Sequence, residues 1–118
     1  MVPAAVVPAS AVQPEVVSTF VVERYWPGVN AQILATALAR AATAAERLAQ
    51  SGSVVRHLQS TLVPTEEIVF CLFEATSAAA VELVNRNADV TFDHVALAVV
   101  LAGVTQISPA PTNQKGVT

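Results

Sequence analysis

The chain has 118 residues, of which 53% are hydrophobic and only 13% are charged. This length predicts a single domain whose core is large enough to fold without disulfides or a structural metal. The net charge of −3, with no cluster of Lys or Arg, argues against a nucleic acid ligand, because phosphate binding needs grouped cations. The high apolar fraction instead indicates a surface that a partner covers, so we expect at least a homodimer.

Cys71 is the one cysteine of the sequence, so no internal disulfide can form and we expect a reducing, cytoplasmic location. Residues 1–17 are rich in Ala, Val and Pro, and the prolines interrupt the apolar helix that a secretion signal needs. This stretch is predicted to be a flexible or extended arm. Residues 103–118 are predicted to be a disordered tail, which leaves 18–102 as the folded domain. No membrane-spanning stretch is expected.

The first strand and the first helix are predicted from composition and turn residues. Residues 18–25 are rich in Val and aromatic residues, which favour a strand. The Trp26-Pro27-Gly28 run ends this strand, because Pro lacks a ladder donor and Gly permits a sharp turn with positive φ. Asn30 is a good N-cap for an alanine-rich helix from residue 31 to about 50, which has apolar residues at helical spacing.

Two strands, a helix and a last strand are predicted in the second half. An alternating segment at residues 53–62 and a nearly all-apolar segment at 68–74 predict strands, the latter covered on both faces. Ser77 caps a predicted short helix that runs to about residue 88, and residues 91–101 predict the last strand. The order β-α-β-β-α-β predicts an α+β, ferredoxin-like domain, with a four-stranded antiparallel sheet and both helices on one face.

Polar side chains within the predicted strands are the candidates for a functional site. Side chains alternate across a strand, so if Phe20 and Val22 face the helices, Glu23 lies on the open face. A set of carboxylate, imidazole and thiol groups suits a divalent metal such as nickel, zinc or copper. The candidate metal ligands are Glu23, His57, Cys71, Asp93 and His94.

The spacing of these candidates leaves a simpler interpretation open. They form no Cys-x-x-Cys, His-x-His or Glu-x-x-His motif, and the adjacent Asp93 and His94 point opposite ways in a regular strand. In this interpretation His57 and His94 are ordinary half-buried strand residues, and Cys71 is a small core residue. The sheet register, which decides between the two, cannot be derived from the sequence.

Three segments of the chain resemble a family of small bacterial nickel-binding proteins with a ferredoxin-like fold. They are residues 22–29, which contain Glu-Arg-Tyr-Trp-Pro-Gly, residues 55–75, which contain Phe-Cys-Leu-Phe-Glu-Ala, and Ala-Val-Glu-Leu-Val-Asn-Arg at 80–86. The resemblance implies a dimer that binds metal through surface residues at the dimer. His94 stands where the family often has Arg after Asp, so it adds a ligand in place of a cation. His94 is therefore the first choice of ligand, followed by His57.

Three hypotheses of function follow. The leading one is a non-enzymatic cytoplasmic protein that binds nickel or a similar divalent metal for sequestration. The second is a small dimeric α+β-barrel enzyme or ligand carrier, with Glu23, Tyr25, His57 and Cys71 lining a pocket on the open face. The third is a structural module that docks to a larger protein assembly through its Ala-, Val- and Pro-rich termini. The first predicts metal ligands within coordination distance of each other. The second predicts an enclosed pocket with a polar wall, and the third predicts ordered termini packed on a neighbouring subunit.

Overall fold

A computed structural model describes residues 16–103 of the chain. Its elements are β1 (Ser18–Tyr25), α1 (Ala31–Ala49), β2 (Val55–Val63), β3 (Ile68–Ala75), α2 (Ala78–Asn87) and β4 (His94–Leu97). The four strands form one antiparallel sheet in the order β2-β3-β1-β4, with both helices packed against it. The predicted element order and the ferredoxin-like fold are therefore confirmed.

The connection from β1 to α1 has the backbone that its sequence predicts. Gly28 has a φ of 79°, a left-handed conformation that strains any residue with a Cβ. The side-chain oxygen of Asn30 accepts a hydrogen bond from the backbone N–H of Ile33 at 2.8 Å, so Asn30 is the N-cap of α1. Small residues bring the helix close to the sheet. The buried residues of α1 are Leu34, Ala37, Ala41 and Ala44.

Helix α2 presents an amide to the sheet as well as apolar side chains. Ser77 Oγ accepts a hydrogen bond from the backbone N–H of Ala80 at 3.1 Å and caps the helix. Val81 and Val84 are buried as predicted, and Asn85, one position later, is also fully buried. Asn85 Nδ2 donates to the carbonyl oxygen of Val81 at 2.8 Å. Its side-chain oxygen is therefore directed away from the helix backbone and toward the sheet.

The strand register divides the sheet into two faces. The covered face packs against the helices and includes Phe20, Val22, Arg24, Val69, Cys71 and Phe73, all buried. The open face carries no other element of residues 16–103 and includes Val21, Glu23, Tyr25, Ile68, Phe70 and Leu72, all half-buried or exposed. The coverage of β3 on both faces, predicted from its apolar run, is therefore provided by the described chain on one face only.

The last strand is shorter than the predicted residues 91–101. At its start, the carboxylate of Asp93 accepts a hydrogen bond from the backbone N–H of Tyr25, so a side chain replaces one rung of the ladder. At its end, the backbone N–H of Ala98 donates to the carbonyl oxygen of Thr19 at 2.9 Å. Thr19 is the second residue of β1, which runs antiparallel to β4. The end of β4 therefore meets the start of β1, and pairing stops there.

Strand β2 lies at the edge of the sheet and contains a β-bulge between His57 and Gln59. The extra residue shifts the register, so that Ser60 lies directly opposite Cys71. His57 lies opposite Phe73. Because opposite residues share a face, His57, Ser60 and Cys71 all lie on the covered face.

No helix of residues 16–103 combines the length and the apolar character that a membrane span requires. The predicted arm and tail fall mainly on residues 1–15 and 104–118, which lie outside the described residues.

Candidate functional site

The open face brings together two of the five predicted metal ligands. Glu23 of β1 and His94 of β4 are direct register partners, so their side chains leave the sheet side by side. The Cβ atoms of such partners lie roughly 5 Å apart. His94 is exposed and Glu23 is half-buried, so both reach solvent on this face. A carboxylate and an imidazole placed in this way can bind the same divalent metal ion.

Asp93, the neighbour of His94, makes hydrogen bonds that join β4 to β1. Its carboxylate accepts from the backbone N–H of Tyr25, and its own N–H donates to the carbonyl oxygen of Glu23 at 2.9 Å. Both bonds fix the start of β4 against β1. The structure therefore assigns Asp93 a positioning role, since it holds His94 opposite Glu23.

The other two candidates, His57 and Cys71, lie on the opposite side of the sheet. His57 Nε2 is 2.8 Å from Ser60 Oγ, and Ser60 Oγ donates to Cys71 Sγ at 2.8 Å. The hydroxyl has one proton, so when it donates to sulfur, His57 must donate to Ser60 from Nε2. The His57 ring also packs edge-on against Phe73, with centroids 5.4 Å apart. His57, Ser60 and Cys71 thus form a hydrogen-bonded relay from the edge strand to the core.

The relay continues to Arg24, which is fully buried on the covered face. Arg24 Nε donates to Cys71 Sγ at 3.4 Å, while Nη1 donates to Asn85 Oδ1 and to the carbonyl oxygen of Thr91, both at 2.8 Å. Nη2 has no hydrogen-bond partner in the described part of the chain. No carboxylate of residues 16–103 forms an ion pair with this guanidinium. Its charge is therefore stabilised by neutral dipoles and by the sulfur atom.

Partial burial of its ring lowers the pKa of His57 below the ordinary value of 6.5, because desolvation disfavours the charged imidazolium, although the residue as a whole is exposed. A hydrogen bond with the backbone of Gln59 raises this pKa, and the positive charge of Arg24 lowers it. The net effect favours the neutral imidazole. A neutral ring that carries its one proton on Nε2 can still donate to Ser60 Oγ.

One chain does not hold a complete metal site in its described residues. No group of three or more His, Cys, Asp or Glu side chains within residues 16–103 is close enough to bind one ion. The sheet separates Glu23 and His94 from His57 and Cys71. Since a square-planar Ni(II) site takes about four ligands, Glu23 and His94 supply half of one.

The pocket of the second hypothesis does not form within one chain. Glu23 and Tyr25 lie on the open face, whereas His57 and Cys71 lie on the covered face, so the four cannot line one cavity. A groove of about 420 Å³ does lie between α1 and β2, on the covered side of the sheet. Alanines of α1 line it together with His57 and Phe73.

The relay, together with Arg24 and Asn85, forms a covered-face network. Three of its members were not among the functional residues expected from the sequence: Arg24, Ser60 and Asn85. Arg24 alternates in phase with the apolar Phe20 and Val22, which is the signal that it points inward. Asn85 follows two buried valines at helical spacing, a similar signal. Ser60 had no such signal, because the bulge before it shifts the register of β2.

The model of the SCO4226-like family, described as nickel responsive proteins, matches residues 20–97 of the chain. This protein belongs to that family. The crystal structure of SCO4226 from Streptomyces coelicolor A3(2) is similar, with a TM-score of 0.62 over 72% of this chain and 100% of that one. The two sequences are 22% identical, which shows a common fold. No curated protein matches the chain. The match places this protein in a family related to nickel.

Proposed function

We propose that this protein is a non-enzymatic homodimer that binds nickel, or a similar divalent transition metal, at the open face of its sheet. The Glu23–His94 pair is the observation that carries the proposal. Imidazole and carboxylate groups are both suitable ligands for Ni(II). Membership of a nickel responsive family supports nickel over the other divalent metals.

A second copy of the chain completes the site in this proposal. A twofold axis through the open face presents the same pair from both subunits, so that two carboxylates and two imidazoles meet one ion. Asp93 holds each pair in place through its bonds to β1. The two pairs together then supply about four ligands, the number that a square-planar nickel site takes.

The apolar character of the open face supports the dimer independently of the metal. Tyr25 is 57% exposed and Phe70 is 38% exposed, and half-buried Val21, Ile68 and Leu72 lie beside them. An apolar sheet face is stable in water only when another layer covers it. A second open face is one such layer, with the same composition. The single cysteine is consistent with storage of the metal in the cytoplasm.

Titration of the metal-free full chain with nickel tests the proposal. We expect His94→Ala and Glu23→Gln each to weaken nickel binding by about tenfold or more, since each removes a ligand. His57→Ala is the matched control, because this histidine lies on the other face and should leave nickel affinity unchanged. The proposal is wrong if the folded parent binds no divalent metal, or if His57→Ala causes the larger loss.

A further inference from the structure

The covered face contains a positive charge that the described fold does not neutralise. Arg24 is fully buried, and no carboxylate of residues 16–103 pairs with it. Burying a charge is costly unless hydrogen bonds and a counter-charge compensate. Asn85 and the carbonyl of Thr91 supply acceptors for Nη1 only. The rest of the guanidinium is directed at Cys71.

The donor without a partner, Arg24 Nη2, lies on the side of the guanidinium that faces Cys71 Sγ. Nε and Nη2 donate from one edge of the planar group, in the fork that binds two oxygens of an acid. Arg24 Nε points at Cys71 Sγ, 3.4 Å away, so Nη2 is directed to the same side. Nη2 has no partner among the described residues. The edge thus offers two donors, whereas the thiol of Cys71 provides one acceptor atom.

We propose that Cys71 is an oxidation site, at which peroxide converts the thiol to a sulfenic acid and then to a sulfinate that Arg24 binds. A sulfinate has two oxygens and a negative charge, which match the two donors and the positive charge of the free guanidinium edge. Ser60 Oγ, 2.8 Å from the sulfur, supplies a third donor. Oxidation therefore provides the counter-charge that residues 16–103 of the reduced protein do not supply.

Each step balances with one molecule of hydrogen peroxide. A sulfur–oxygen bond forms, the peroxide O–O bond breaks, and the departing hydroxide combines with a proton to leave as water. The sulfur loses two electrons in each step, first from thiol to sulfenic acid and then to sulfinic acid, which ionises. Cys71 is the only cysteine of the sequence, so no second thiol of the same chain can trap the sulfenic acid as a disulfide.

Peroxide reaches the sulfur through the edge strand. Cys71 has no exposed area in the closed fold, but its register partner is Ser60 on β2. The bulge at His57 interrupts the ladder of this edge strand just before Ser60. Edge segments with interrupted ladders open at lower free energy than the core. We therefore expect oxidation to be slow and to proceed in the folded protein.

Treatment of the metal-free full chain with hydrogen peroxide tests the proposal. Peptide mass mapping should show one and then two oxygen atoms added to the peptide that contains Cys71. The melting temperature should rise by roughly 4 °C or more, because the product gains an ion pair and hydrogen bonds. A lower melting temperature after oxidation overturns the proposal. So does a folded protein that gains no oxygen at Cys71 under conditions that oxidise the same chain in urea.

Variants separate binding of the sulfinate by Arg24 from oxidation alone. Cys71→Ala should show no peroxide-dependent rise in melting temperature. Arg24→Lys keeps the charge and removes the two-donor edge, so oxidation should then lower the melting temperature. If Arg24→Lys does not fold, Ser60→Ala on the edge strand removes one donor and should give a smaller rise than the parent. A rise equal to that of the parent in the folded variant contradicts the proposal.

Discussion

The two faces of this sheet treat polar groups in opposite ways. On the covered face, polar side chains form one connected network from the exposed His57 of the edge strand to the buried Arg24, and one buried side-chain nitrogen of the described residues, Arg24 Nη2, has no partner. The members of this network are His57, Ser60, Cys71, Arg24 and Asn85. On the open face, Glu23 and His94 lie side by side among apolar residues. The first face is covered by the helices of the same chain, whereas no element of residues 16–103 covers the second.

Strand β3 contributes to both faces, so it shows the difference within one segment. Phe73 on the covered face is 2% exposed, and Phe70 on the open face is 38% exposed. The two residues have the same chemistry and lie three positions apart. Burial by the chain itself should therefore govern the stability of the subunit, and burial by a partner should govern association.

Replacement of each phenylalanine by alanine tests this division, with the largest expected effect. Phe73→Ala should lower the free energy of unfolding by about 3 to 5 kcal/mol, because it leaves a cavity in the core. Phe70→Ala should lower it less, and its effect should grow with protein concentration, since it removes interface area. Chemical denaturation at two protein concentrations measures both. Equal losses that do not depend on concentration would contradict the division.

Replacement of the buried and exposed arginines should have the next largest effect. Arg24→Met leaves the buried Oδ1 of Asn85 without its donor and removes the bond to the Thr91 carbonyl, so we expect a loss of about 2 kcal/mol in the free energy of unfolding. Arg56→Met is the matched control. It breaks the ion pair between Arg56 and Glu74. Because the Arg56 side chain is 66% exposed, the loss in the free energy of unfolding should be less than about 1 kcal/mol. Urea denaturation compares them, and a stabilising Arg24→Met would show that the network contributes nothing to stability.

The smallest expected effect is a pH dependence that arises from His57. Its native pKa lies below 6.5, so the unfolded chain binds more protons than the native one at pH values between the two. The stabilisation from the neutral ring is complete above pH 6.5 and declines as the pH falls toward the native pKa. His57→Gln should remove this contribution to the dependence of the free energy of unfolding on pH, measured from about pH 7.5 to about pH 5.5. An unchanged slope would mean that the ring is solvated in the native protein.

Local sequence signals were sufficient for most of the fold. The bounds of β1 and the two helix caps, Asn30 and Ser77, follow from residues that act on their own neighbours. The length of β4 depends on where its partner β1 begins, so it could not be derived from the sequence of β4 alone. The sheet register likewise decides which of the five candidate metal ligands lie together. Only the register shows that Glu23 meets His94 and that the sheet separates this pair from His57.

Isothermal titration of the full chain with nickel tests the central claim most directly, because its end point counts the ions bound per chain. If two open faces share one site made of two Glu23–His94 pairs, the titration should end at one nickel for every two chains. An end point of one nickel per chain would show that a single subunit completes the site. The absence of binding by the folded protein would contradict the account outright.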